Sequence, residues 1–184
     1  IEASLESLVR EHRFTIAVSF PAIGAVLLIA SAEGWLPEPL SFNPYLILLG
    51  TAVMRLPLIV GLLPLLDSRA TLGLVSLTAY AYGIELVGVM TGWPYGEFRY
   101  LIELGPMLLD AVPLGLPVFF FPLVLNSYLL VLLLLGKTAG RTSIRIIGTL
   151  SVVLVMDLVL DPGAVGLGFW QYAIDDGYYG VPYT

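Results

Sequence analysis

The sequence contains no cysteine and one histidine, and of its eight basic residues only Lys137 is a lysine. Without cysteine, disulfides, thiolate catalysis and cysteine-ligated metals are excluded. The lone histidine, His12, lies in the polar N-terminal stretch, so the histidine boxes of a membrane di-iron desaturase or hydroxylase cannot form. No glycine-rich dinucleotide fingerprint occurs, which speaks against a flavin or nicotinamide enzyme. Asp157, Asp161 and Asp175-Asp176 do not compose the aspartate-rich pattern that holds magnesium diphosphate in prenyltransferases. No metal and no cofactor are expected. Charge is also scarce: 12% of the 184 residues are charged, about half the share of a soluble domain. The net charge of −6 leaves no basic footprint for nucleic acid. An acidic, lysine-poor chain fits a halophile or a GC-rich genome.

What the chain has is apolar length. Hydrophobic residues make up 58% of it, and counted in spans of about 20 residues it has room for five to six. Apolar runs cover residues 14–32, 45–66, 70–90, 105–136 and 143–160. The first is long enough to span, with no small-residue cleavage site after it, so it reads as a span rather than a signal peptide. Residues upstream of Ile1 are expected. The fourth run is too long for one straight helix at about 1.5 Å per residue. Pro113, Pro117 and Pro122 predict a short helix followed by a full span. The fifth run is predicted to stop at Asp161-Pro162. The fold class is therefore all-α: a polytopic integral membrane helical bundle forming a single transmembrane domain over 1–184, with no internal repeat.

Loop charges orient it. Arg10 and Arg13 precede the first run, Arg69 lies between the second and third, and Lys137, Arg141 and Arg145 lie between the fourth and fifth. If spans alternate, these share one side. The other side holds Glu33, Glu38, Glu97, Glu103, Asp175, Asp176 and only Arg99. The asymmetry predicts a multi-pass cell-membrane protein with a cytoplasmic N-terminus. Segments 91–104 and 161–184 then share the outer face. Both are rich in Gly, Pro, Trp and Tyr, which suits either an interfacial aromatic belt or backbone lining a cavity.

Arg55, Glu85, Asp110 and Asp157 fall inside apolar runs. Each costs about 2.5–3.5 kcal/mol on insertion scales, which makes it a candidate functional residue. Counting back along each run puts Glu85 roughly 9 Å, Asp110 roughly 7 Å and Asp157 roughly 6 Å below the outer end. Asp157 and Asp161, four apart, share one helix face. A carboxyl in a dry site beside other carboxyls can keep its proton near neutral pH and serve as a general acid. Arg55 could hold one acid ionised, or an Arg–carboxylate pair could simply lock helices together. Acid–base chemistry on an apolar molecule, or proton-linked transport, remains.

Two stretches carry a resemblance. One is Glu85-Leu-Val-Gly-Val-Met-Thr-Gly-Trp-Pro-Tyr-Gly-Glu-Phe-Arg-Tyr100 followed by Leu104-Gly-Pro106. The other is Asp157-Leu-Val-Leu-Asp-Pro162, then Gly168-Phe-Trp170, then Gly177-Tyr-Tyr-Gly-Val-Pro182. In this order they resemble the membrane carotenoid hydratases of the CruF type, over the chain from about Tyr82 onward. The archaeal branch of that family acts as bisanhydrobacterioruberin hydratase in C50 bacterioruberin synthesis. Tyr95 stands where members commonly have Phe. Members also continue past Val181-Pro182, so further helix is expected beyond Thr184.

The resemblance implies addition of water across the terminal 1,2 double bond of an acyclic carotenoid end group. A carotenoid substrate, membrane lipid and other carotenoid-synthesis membrane enzymes are the implied partners. Glu85 or Asp110 is expected to donate the proton, and Asp157 or Asp161 to position and deprotonate water. Arg55, Trp93, Tyr95, Arg99, Tyr100, Tyr178 and Tyr179 are expected to bind substrate, the aromatic rings stabilising a cation. The blander reading makes Trp93, Trp170 and Tyr178 interface anchors and gives Asn126 and Tyr128 a role between helices. A carotenoid cyclase and a proton-coupled transporter are the rival readings.

Overall fold

The computed structural model describes residues 2–18, 26–27, 29–31, 33–37, 53, 56–101, 106–136, 140–173 and 177–182. Parts of the apolar runs 14–32 and 45–66, namely residues 19–25, 28, 32, 45–52 and 54–55, lie outside these residues, as do Arg55, Glu38, Glu103, Lys137, Asp175 and Asp176. Within them the chain is mostly helical. Helix α1 (Glu2–Glu11) and helix α2 (Arg13–Val18) open the chain. Three long helices follow: α3 (Ser68–Thr91), α4 (Leu116–Leu135) and α5 (Thr142–Gly166). Of these, α3 and α5 are long and apolar enough to cross a membrane, and shorter apolar helix occurs over Leu56–Leu65 and Phe120–Leu135.

The core lies where α1 and α2 pack on α4. Val9, Ile16, Leu58 and Leu129 are buried together, with Leu5, Leu125 and Tyr128 against them. Buried Asn126 donates its amide to the Ile16 carbonyl at 3.0 Å, a bond between α4 and α2. Helices α4 and α5 pack closely because Gly148 has no Cβ; one placed there would lie 3.0 Å from Val131. Small residues let membrane helices approach in this way. The outward side chains Ile147, Leu150, Leu154 and Leu158 of α5 are exposed, as lipid contact requires.

Helix α3 follows the apolar run 70–90 closely. Asp67 caps its start by accepting from the Ala70 amide at 2.8 Å. Gly92 ends it at a φ of 73°, and a side chain at Gly92 would also collide with Glu97. The other two runs depart from expectation. Residues 106–113 do not form a short helix. They form a hairpin of β2 (Met107–Leu108) and β3 (Val112–Pro113), and α4 starts only after Gly115, with Pro117 in its first turn. Proline fits there because first-turn amides have no helical partner.

Helix α5 does not stop at Asp161-Pro162 but runs on to Gly166. A proline removes one helical hydrogen bond and crowds the carbonyl four residues back. The residues after it keep their own donors, and Gly163 and Ala164 pack buried. The helix ends at Gly168, whose φ is 71°; Gly168 donates to Val165 and Phe169 to Ala164, the paired closure of a Schellman motif.

The expectation of an all-α chain also needs amendment. After α3 comes β1 (Phe98–Tyr100), and after α5 comes β4 (Trp170–Tyr172); the two pair antiparallel. Phe98 faces Tyr172, Arg99 faces Gln171, and Tyr100 faces Trp170. Both long helices thus deliver their C-terminal ends to one aromatic ribbon.

Candidate active site

Side chains alternate across a strand pair, so the ribbon has two faces. Arg99 and Gln171 are exposed on one and hydrogen-bond to each other at 3.3 Å. Phe98, Tyr100, Trp170 and Tyr172 are half-buried on the other. Their rings interlock: Phe98 meets Tyr100 and Tyr172 at 5.7 Å each, and Tyr100 meets Trp170 at 6.2 Å. Tyr95 continues the layer, edge-on to Phe98 at 6.3 Å. It can lie flat over α3 because Gly88 is beneath it; a Cβ there would come within 3.1 Å of the Tyr95 ring and 3.2 Å of Phe98.

This inner face meets the last turns of α3 and α5, and there the carboxylates gather. Tyr100 donates its hydroxyl to Glu85 Oε2 at 3.0 Å. Trp170 donates its indole N–H to Asp161 Oδ1 at 2.9 Å, and Tyr172 its hydroxyl to Asp161 Oδ2 at 3.1 Å. Asp157, one turn before Asp161, is exposed and accepts no hydrogen bond among the described residues. None of the three has an ion-pair partner among the described residues.

The ribbon tyrosines report how close these charges lie. Tyr172 is pushed above the ordinary phenol range by burial, then by the charge of Asp161 and its hydrogen bond, then by Asp157 and Glu85. Tyr100 is pushed up by burial and then by Glu85. Tyr95 is pushed up to about 12 by burial first, with Glu85, Tyr80 and Asp157 adding to it. One phenol therefore feels three carboxylates drawn from two helices.

The expected site residues thus divide. Glu85, Asp157, Asp161, Tyr95 and Tyr100 come together. Asp110 does not lie in a membrane helix beside them. It sits exposed at the tip of the β2–β3 hairpin, where Leu109 and Asp110 have φ of 52° and 55° and Ala111 closes the turn on Leu108 at 3.0 Å. Trp93, Arg99, Tyr178 and Tyr179 are exposed, with no hydrogen bond or ring contact to the carboxylates among the described residues. Tyr178 and Tyr179 stack edge to face on each other at 4.9 Å. Arg55 lies outside the described residues. The site also includes Trp170, Tyr172 and Phe98, of which only Trp170 was singled out, as an interface anchor. The signal for them is the repeated aromatic-x-aromatic spacing, Phe98-x-Tyr100 and Trp170-x-Tyr172, which is a strand period.

No group of His, Cys, Asp and Glu suited to a metal ion occurs among the described residues. What the arrangement offers is three carboxyls in three hydrogen-bonding situations under a layer of aromatic rings. It is suited to moving a proton onto an apolar molecule and steadying the cation that results.

A model of the family described as carotenoid biosynthesis protein matches residues 42–184. The chain is 65% identical over 181 residues to a protein of Haloarcula japonica named bisanhydrobacterioruberin hydratase. That alignment covers 98% of this chain and 61% of the relative, so the chain spans about three-fifths of the relative's length. No solved structure matches the chain. With most of its length matched by the family model, including both helices that carry the carboxylates, the chain belongs to the carotenoid biosynthesis protein family.

Proposed function

We propose that the chain carries the active site of a carotenoid hydratase that converts bisanhydrobacterioruberin towards bacterioruberin. The observation that carries this reading is the meeting of Glu85, Asp157 and Asp161 under one aromatic ribbon. The name of the Haloarcula japonica relative supports the substrate.

Hydration of a trisubstituted terminal alkene needs a proton on C2, a tertiary cation at C1, and a water that gives up one proton as it forms the C–O bond. The acid regains that proton through the carboxylate set, so the net change is addition of one water. Glu85 serves as the proton donor: one of its oxygens accepts from Tyr100, leaving the other for the proton. Asp157, exposed and without a hydrogen-bond donor, takes the proton from the attacking water. The faces of Tyr95, Tyr100, Tyr172 and Trp170 surround the cation. Asp110 has no part in this reading.

The same reading makes the chain one transmembrane domain of five to six spans in the cell membrane, with its N-terminus in the cytoplasm. Arg69 at the start of α3, and Arg141 and Arg145 at the start of α5, support it. They lie at the helix ends away from the ribbon, as the excess of basic residues on the cytoplasmic side requires. A carotenoid crossing the bilayer then presents its end group to the outer carboxylates, amid membrane lipid and beside other carotenoid-synthesis enzymes.

Pigment extraction from a carotenoid-producing host with and without the gene tests this. Accumulation of anhydro precursors on deletion supports a hydratase. Loss of cyclic end groups points to a cyclase, and an unchanged pigment profile rejects both.

A further inference from the structure

Three carboxyls in one site can divide the work of acid, base and cation stabiliser only if something sets them apart. The differences in the structure come from the ribbon. Asp161 accepts a donor on each oxygen, from Trp170 at 2.9 Å and from Tyr172 at 3.1 Å. Glu85 accepts one donor, and Asp157 none. A carboxylate that accepts two donors is favoured in its charged form, because a protonated carboxyl must turn one oxygen into a donor and lose a partner. Both donors come from one three-residue strand, held in register by pairing with β1.

Neither ring is free to swing away. Trp170 is wedged against Tyr100 and Phe169, and Tyr172 against Phe98. The indole has no acceptor chemistry, and the Tyr172 hydroxyl, its proton held by burial and neighbouring negative charge, stays a donor.

We infer that Trp170 and Tyr172 are positioning residues that hold Asp161 as the fixed anion of the site, so that the mobile protons belong to Glu85 and Asp157. This rests on the hydratase reading and extends it. The groups facing Asp161 are Asp157 on its own helix, Glu85 on α3, and Tyr172 and Trp170 on β4; Tyr95 in the turn after α3 and Tyr100 on β1 face Glu85. Arg99 points to the other face of the ribbon, towards Gln171. Under the hydratase reading, a fixed anion beneath the aromatic layer lowers the energy of a tertiary cation formed against those rings.

The test uses Tyr172→Phe, Trp170→Phe and the double variant in membranes, each keeping a ring at its position. Stripped of both donors in a low-dielectric layer, Asp161 takes up a proton at neutral pH. Hydration then falls at neutral and acid pH, most in the double variant, its acid limb moving up by roughly one to two pH units per donor removed, since a hydrogen bond to a charged group is worth one to two decades in an equilibrium. It recovers as the pH is raised and Asp161 ionises again, a recovery that mere structural damage would not show. Infrared difference spectra of the double variant at neutral pH should gain a protonated-carboxyl band that disappears when Asp161→Asn is added. That band is read whether or not the protein hydrates anything, so failure of the hydratase reading and failure of this inference are distinguishable. An equal loss at every pH, or an unchanged pH profile, overturns the inference. So does a protonated-carboxyl band already present in the wild type and removed by Asp161→Asn.

Discussion

Replacing Leu109-Asp110 by Asn-Gly separates a structural turn from a catalytic acid. The two residues occupy the centre of the β2–β3 hairpin with φ of 52° and 55°. Positive φ at both central positions is the type I′ geometry that Asn-Gly adopts most readily. An L-residue pays about 1–2 kcal/mol to enter the left-handed region; Leu109 bears that cost in full, and aspartate bears less. Glycine returns about 0.5–1 kcal/mol in chain entropy, so the net gain is about 1–2 kcal/mol. For a chain of this size that is a rise in Tm of roughly 2–8 °C, to be read by thermal unfolding in detergent. Hydration should be unchanged, because Asp110 is exposed and makes no hydrogen bond to Glu85. Activity lost in a protein that still folds would put Asp110 back among the acids. A lowered Tm would refute the turn geometry.

Three further outcomes follow from the site and the core. Tyr95, Tyr100 and Tyr172 should form phenolate only above the usual range, and Glu85→Gln should bring Tyr100 down, because the charge opposing a second negative charge is gone; absorbance titration reads both. The linked stability is present in full below the ordinary phenol pKa of 10.0 and is lost as the pH rises through about 12 for Tyr95; alkaline unfolding curves would show it. Gly88→Val should displace Tyr95 and Phe98 and cut hydration strongly while α3 remains helical, since the crowded atoms belong to the aromatic layer; circular dichroism alongside the product assay separates the two effects. Asn126→Leu removes the bond to the Ile16 carbonyl and should cost about 0.6–2 kcal/mol, measured as a lower Tm with hydration intact.

The sequence displayed α3 well, because the apolar run between Asp67 and Gly92 carries both a cap and a stop. It misled at Pro162, where proline chemistry alone suggests an end but buried Gly163 and Ala164 carry the helix one turn further. The fold around Asp110 was misread for a related reason: the six residues between Pro106 and Pro113 fit a short helix or a tight hairpin equally well by composition. Glu85 and Asp157 stood out as ionisable groups inside apolar runs, and Asp161 by its four-residue spacing from Asp157. Their donors did not. Trp170 and Tyr172 act through a strand pairing between segments about seventy residues apart, and aromatic residues at a membrane edge have an adequate explanation as anchors. Only the register of β1 on β4 turns that belt into a site.

The most direct test of the central claim is product formation by Glu85→Gln and Asp157→Asn in a carotenoid-producing host. Each substitution keeps the shape and removes the exchangeable proton. Both variants should accumulate in the membrane at wild-type levels while anhydro precursor replaces hydrated carotenoid. Full hydration by both would contradict the account.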